Sequence, residues 1–150
     1  MTEGAGIVET TGSAALRSIP FFATLTDEDL DGVLRVGSTV SFEPGQAIVE
    51  QGQPGDAMFV VLSGVAEVDV GGRFHRLSTG DFFGEMALVT SMRRSATVKA
   101  AQPVEALRIP AEGFHSFLLA HPAIAIGMLR AVVERLSEVQ ARLDAWMGNG

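Results

Sequence analysis

Cysteine is missing altogether from the 150 residues. That removes disulfides and thiolate metal sites, and makes the cytoplasm the default location. Lysine is nearly missing too, since Lys99 stands alone and the other basic residues are all arginine. No apolar run approaches the ~20 residues needed to cross a bilayer, so no membrane segment is expected. The N-terminus has no basic start followed by an apolar stretch, and so does not read as a secretory signal. Positive charge is in deficit: the net charge of −7 argues against a nucleic-acid partner, which would favour a basic face. Histidine is scarce, limited to His75, His115 and His121. A metal-dependent β-roll enzyme needs several His and carboxylate ligands converging inside the roll. His115 and His121 fall in the helical part and read as plain helix-end residues. No Ser/His/Asp or Cys/His set exists either. The expectation is therefore a non-enzyme with no metal and no cofactor.

What is present is apolar substance. Hydrophobic residues make up 47% of the chain, enough for one globular domain with a sizeable core. Met1 to Gly12 are small, polar and Gly-rich, and read as a flexible leader before a domain over residues 13–150. A short helical piece covers Ala14 to Arg17 and ends at Pro20. Thr26 offers an N-cap, Asp27 to Asp29 suit the positive helix end, and Leu30, Val33 and Leu34 form an apolar face.

From residue 38 to 109 the pattern changes to short runs of β-formers punctuated by turns. The runs are Thr39–Phe42, Ala47–Glu50, Ala57–Leu62, Val65–Val70, Arg73–Leu77, Ala96–Ala101 and Val104–Ile109. Gly71-Gly72 predicts a type I′ hairpin, because both positions need positive φ. Many short strands without crossover helices imply an antiparallel roll or barrel. Residues 110–147 turn helical. Pro110 opens a helix that buries Phe114, Phe117 and Leu118, His121-Pro122 breaks it, and a last helix runs to about Met147 before Gly148-Asn149-Gly150.

One segment interrupts the β pattern with helix formers: Phe82-Phe83-Gly84-Glu85-Met86-Ala87-Leu88-Val89. Gly84 lets backbone approach a ligand closely. Met86 and Ala87 belong to a single turn whose free N–H groups can meet an anion. Arg94 brings a planar guanidinium suited to two phosphate oxygens, and Ser95 a hydroxyl. Glu85 is an acceptor in an anion site, which makes sense if the ligand also carries a hydroxyl such as a ribose 2′-OH. Val68, Phe74, His75 and Ala96 are the candidates for the base side of such a pocket.

Phe83-Gly84-Glu85-Met86-Ala87-Leu88, a gap of five residues, and Arg94-Ser95-Ala96-Thr97-Val98 resemble the phosphate-binding cassette of the cyclic nucleotide-binding domain family, of the catabolite activator and protein kinase A regulatory subunit type. Phe42-Glu43-Pro44-Gly45, Gln51-Gly52-Gln53-Pro54-Gly55-Asp56, Leu62-Ser63-Gly64 and Gly80-Asp81-Phe82-Phe83-Gly84 resemble that family's turns in the same order. The resemblance implies an α+β fold: an antiparallel eight-stranded, jelly-roll-like β-roll with an N-terminal helix and C-terminal helices. It implies that Arg94 pairs the cyclic phosphate, that Glu85 takes the ribose 2′-OH, and that Gly84 is a backbone contact beside it. Ser95, where threonine often accompanies cGMP in the family, points to cAMP, with cGMP the alternative. Met86 sits where Leu is commoner. Arg93 precedes Arg94 as a second charge without an assigned job. A scaffold that keeps the fold and has lost the ligand would lack Arg94 or Glu85, and both are present.

Leu129, Val132, Leu136, Val139, Leu143 and Trp146 recur at spacings of 3, 4, 3, 4 and 3, a heptad seam on the last helix. Such a seam packs on its own roll or pairs with a second copy, as a homodimer. The resemblance implies that this helix swings toward the nucleotide, with Leu143 and Trp146 the apolar cap candidates. No helix-turn-helix pattern follows it, so an effector domain or partner protein is expected outside this chain.

Overall fold

The structure is a computed structural model that describes residues 13–19, 22, 23, 25–88, 90 and 92–148. The expected leader over Met1–Gly12, the stop at Pro20, Val89 of the helix-forming segment and the terminal Asn149-Gly150 lie outside the described residues. Helix α1 covers residues 13–17, and α2 is Asp27–Val36. The strands are β1 (Ser38–Phe42), β2 (Ala47–Val49), β3 (Ala57–Ser63), β4 (Ala66–Val70), β5 (Arg73–Leu77), β6 (Phe82–Phe83), β7 (Thr97–Ala100) and β8 (Val104–Pro110). A 3-10 turn, Glu85–Leu88, follows β6; α3 (Ala111–Ala120) and α4 (Pro122–Gly148) follow β8.

The eight strands form two four-stranded antiparallel sheets, β1-β8-β3-β6 and β2-β7-β4-β5. Strand β3 explains how the layers stack. Its run Ala57-Met58-Phe59-Val60-Val61-Leu62 is buried at every position, because successive side chains enter different cores. Met58, Val60 and Leu62 join Phe22, Leu30, Val33, Phe114 and Phe117 beneath the helices. Ala57 and Phe59 join Val49, Ala66, Val98, Ala100, Val104 and Ala106 between the two sheets. The first sheet is thus a middle layer, with helices on one face and the roll interior on the other.

Local chemistry accounts for the element ends. The Thr26 hydroxyl caps α2 by accepting from the Asp29 N–H at 3.1 Å. Gly71 and Gly72 have φ of 60° and 85°, as a type I′ turn requires, and the Asp69 carboxylate accepts from the Gly72 N–H at 2.9 Å. Pro110 caps α3, His121 ends it, and Pro122 starts α4. The strand absent from the sequence reading is β6. Two residues, Phe82 and Phe83, pair with Val60 and Phe59, and a two-residue strand carries no periodicity to read. The seventh strand starts at Thr97, so Ala96 precedes it.

Phe114 is fully buried, with its ring edge-on to Phe22 at 6.0 Å between centroids. Phe114→Ala should cost about 3–5 kcal/mol of folding free energy, read from the shift of a denaturant-unfolding midpoint.

Candidate functional site

The site is built where β6, the 3-10 turn and the segment before β7 meet the loop between β2 and β3. That loop grips the segment through its backbone. Gln53 O accepts from Arg94 N at 2.8 Å, Gly52 N donates to Arg94 O at 2.9 Å, and Gly55 N donates to Met92 O at 3.1 Å. Arg93, left without a job by the sequence, donates from Nη1 to Gly52 O at 2.7 Å and clamps the same loop.

With its backbone held on both sides, Arg94 projects inward, and its side chain is only 8% exposed. Its Nη2 donates to Ala57 O at 2.8 Å and lies 3.7 Å from the Asp56 carboxylate. Its Cζ sits 5.9 Å from the centroid of the Phe59 ring, within cation–π range. Phe59 is itself stacked on Phe83, with centroids 5.3 Å apart. Burial holds the Arg94 pKa below the ordinary arginine value; Asp56 acts the other way, and the Arg108 charge adds to the lowering. The guanidinium remains charged. It is a cation largely removed from water, with one carboxylate near it among the described residues, an arrangement receptive to an anion.

Gly84 is the residue that lets Arg94 sit there. It has φ of +77°, and a Cβ built on it would lie 2.5 Å from Arg94 Nη1 and 3.0 Å from Ala57 O. The glycine therefore provides both the left-handed backbone and the space for the guanidinium. Its carbonyl accepts from Ala87 N at 3.0 Å, which closes the 3-10 turn. At the far end of that turn Leu88 is buried under the helices, and its carbonyl pairs with His115 Nε2. His115 is therefore a mid-helix link between α3 and the turn, not the helix-end residue expected. His121 is at the end of α3 as expected, its ring stacked on Phe117 at 4.5 Å.

Gly84, Ala87 and Arg94 are brought together, with Gly55 against both Ala87 and Arg94. Glu85 opens the 3-10 turn, and its side chain lies outside the described residues. Met86 is 54% exposed and Ser95 is also exposed, beside this group. Val68 pairs with Val98 and His75, so His75 shares the interior face, though it lies on exposed edge strand β5. Ala96 is half-buried ahead of β7. Phe74 requires a correction. It pairs with Asp69, one residue out of step with Val68, and so points to the outer face, 65% exposed. Leu143 and Trp146 are 54% and 77% exposed and do not cover the site in this structure.

Sequence reasoning missed Asp56, Phe59 and Arg108 around the guanidinium. Asp56 was legible as a turn residue, but its charge partners are 38 and 52 positions away. Among the described residues no group of three or more His, Cys, Asp or Glu could hold a metal ion.

The chain belongs to the cyclic nucleotide-binding domain family, whose model matches residues 39–121. It is similar to a cGMP-dependent protein kinase of Toxoplasma gondii, 41% identical over 58% of this chain and 9% of that one. It is also similar to a cAMP-dependent protein kinase regulatory subunit of Aspergillus fumigatus, 33% identical over 70% of this chain and 26% of that one. The chain thus spans a quarter or less, roughly, of the length of these curated relatives. Among solved structures, the N-terminal domain of a transcriptional regulator from Streptomyces coelicolor superposes with a TM-score of 0.77 at 29% identity, covering 86% of this chain and 94% of that one. No single helix among the described residues is long and apolar enough to cross a membrane.

Gly84→Ala should cost about 1–3 kcal/mol through the imposed left-handed backbone, and should displace Arg94 as well. Denaturant unfolding reads the first effect, and the chemical shift of the Arg94 side-chain Nε–H reads the second.

Proposed function

We propose that this chain is a non-catalytic, cytoplasmic sensor domain that binds a cyclic mononucleotide, with cAMP preferred over cGMP. The observation that carries the reading is the desolvated Arg94 guanidinium, seated against Gly84 and beside the 3-10 turn. A phosphodiester there would accept from Arg94 and from the backbone N–H of Met86, while Glu85 takes the ribose 2′-OH. The Ala87 N–H, expected to be free, already donates to Gly84 O, so Ala87 shapes the turn rather than donating to the anion. Ser95 lies beside Arg94 as a further hydroxyl. The base extends toward the interior face that carries Val68 and His75, with Ala96 next to it. Ser95 in place of threonine supports cAMP; the similarity to a cGMP-dependent protein kinase of Toxoplasma gondii keeps cGMP as the competitor.

Calorimetry with cAMP, cGMP and AMP tests the reading. Truncating one partner of a buried charge pair costs roughly 2–5 kcal/mol, so Arg94→Ala should weaken cAMP binding about 30-fold or more. Absence of heat with both cyclic nucleotides would return the chain to a ligand-free scaffold. Equal or tighter binding of cGMP would overturn the preference, and Ser95→Thr should move the ratio toward cGMP.

Helix α4 supplies the output surface. The seam residues Leu129, Val132, Leu136, Val139, Leu143 and Trp146 are all between 43% and 77% exposed, so the seam is not packed on its own roll. The 3-4 rhythm favours a second copy of the chain as its cover. Ligand binding then shifts a pre-existing equilibrium of helix positions, by no more than its differential affinity for them. The effector that reads the shift is a domain or partner outside these residues. Sedimentation of Leu136→Glu beside the parent tests the pairing: the parent should be dimeric at tens of micromolar and the variant monomeric. Hydrogen exchange over residues 131–147, with and without cAMP, tests the movement.

A further inference from the structure

The cassette arginine is not the only cation that reaches Asp56. Arg108 donates from Nη2 to Asp56 Oδ2 at 3.2 Å, while Arg94 Nη2 stands 3.7 Å from Oδ1 of the same carboxylate. Asp56 is therefore hydrogen-bonded to Arg108 and only near Arg94. Arg108 is well placed to keep it. It lies on the central strand β8, between Ser38 of β1 and Phe59 of β3. Its neighbours Leu107 and Ile109 enter the core beneath the helices, so Arg108 faces the roll interior with Ala106. Its side chain is 33% exposed, while that of Asp56 is 73% exposed and free to turn.

We propose that Arg108 is a positioning residue for the anion site, holding the Asp56 carboxylate off Arg94 so that an incoming phosphate meets no internal competitor. Without Arg108, Asp56 has one cationic neighbour left among the described residues, Arg94. Closing 3.7 Å to hydrogen-bond distance needs only a small side-chain turn. Arg94 is shielded from water, so that new pair would be stronger than an ordinary surface pair. The carboxylate would then occupy donors that the phosphate needs. The two arginines also repel one another, and Asp56 between them offsets that repulsion. The proposal rests on Arg94 being the phosphate partner.

The test uses Arg108→Met, with Arg108→Gln as a second neutral variant and Arg108→Lys as the conservative one. Either neutral variant should weaken cAMP binding about fivefold, whereas Arg108→Lys should stay close to the parent. Adding Asp56→Asn to Arg108→Met should restore binding to within about twofold of the parent. A merely structural Arg108 would show no such rescue. A separate reading comes from the ligand-free protein. Rotation of the Arg94 guanidinium, followed by 15N exchange spectroscopy, should slow in Arg108→Met and recover in the double variant. Unchanged Arg94 rotation in both neutral variants, or a double variant that binds no better than the single, would overturn the proposal. A parent that binds no cyclic nucleotide, with the slowed rotation still seen, would sink the functional reading and leave the role of Arg108 standing.

Discussion

A guanidinium withdrawn from water keeps its charge, and so the residues around it must replace the hydration it has lost. Arg94 meets that demand only partly. One carbonyl, Ala57 O, takes one of its N–H groups, the Phe59 face lies under it, and Asp56 stands beyond hydrogen-bond reach. Five donors in a fixed fork are more than these partners can take, and the remaining N–H groups are open to solvent, since no buried side-chain nitrogen among the described residues lacks a partner. The rest of the local structure serves to hold the arginine in this position, with donors left over for solvent or an anion. The β2–β3 loop pins its backbone from both sides, Arg93 ties that loop in place, and Gly84 leaves room for its Nη1 that a Cβ would take. Receptivity to an anion follows from incomplete satisfaction, and rigidity keeps the arginine from escaping to solvent.

The fold makes this affordable by separating two cores. Beneath the helices, Phe22, Phe114, Phe117 and Leu88 pack with one face of the first sheet. Between the sheets, the buried contents are mostly small, Ala57, Ala66, Ala100 and Ala106 with Val49, Val98 and Val104, around the ring of Phe59, with Phe42 and Phe83 packed at the margin. Large side chains stabilise the helical side, and small ones leave the roll able to receive a ligand. Leu88 ends the 3-10 turn within the helical core, and His115 holds its carbonyl, so the turn is tied directly to α3. Helix α4 follows α3 after a single residue, His121.

Legibility in the sequence followed the range of the interaction. The Thr26 cap, the Gly71-Gly72 turn and the start of α3 at Pro110 are settled within a few residues, and each is visible in the sequence. Strand β3 was readable because burial on both faces leaves an uninterrupted apolar run. Strand β6 was not, because its two residues are strand only through their partners on β3. Phe74 shows the opposite failure. Its residue type suits a base pocket, yet side-chain direction in a hairpin depends on register, and a step of one residue puts it outside.

In the site, the chemistry of Arg94 and Gly84 was legible because a cassette concentrates its signals in a short stretch, whereas the modulating charges were not. Asp56 sits in a Gly-Asp turn whose residue types are already explained by turn formation, so nothing marks its carboxylate as a counter-ion. Arg108 lies within the run Val104–Pro110 as the second charged residue after Glu105, and on a strand solvated charge is the ordinary reading. Only the antiparallel pairing of β8 with β3 brings Arg108 alongside Phe59, and the start of β3 brings Asp56 alongside Arg94. The residues that receive an anion can therefore be contiguous in sequence, while those that set the charge it meets are gathered by the sheet. In this chain the charges nearest Arg94 lie on β8 and just ahead of β3, outside the cassette segment.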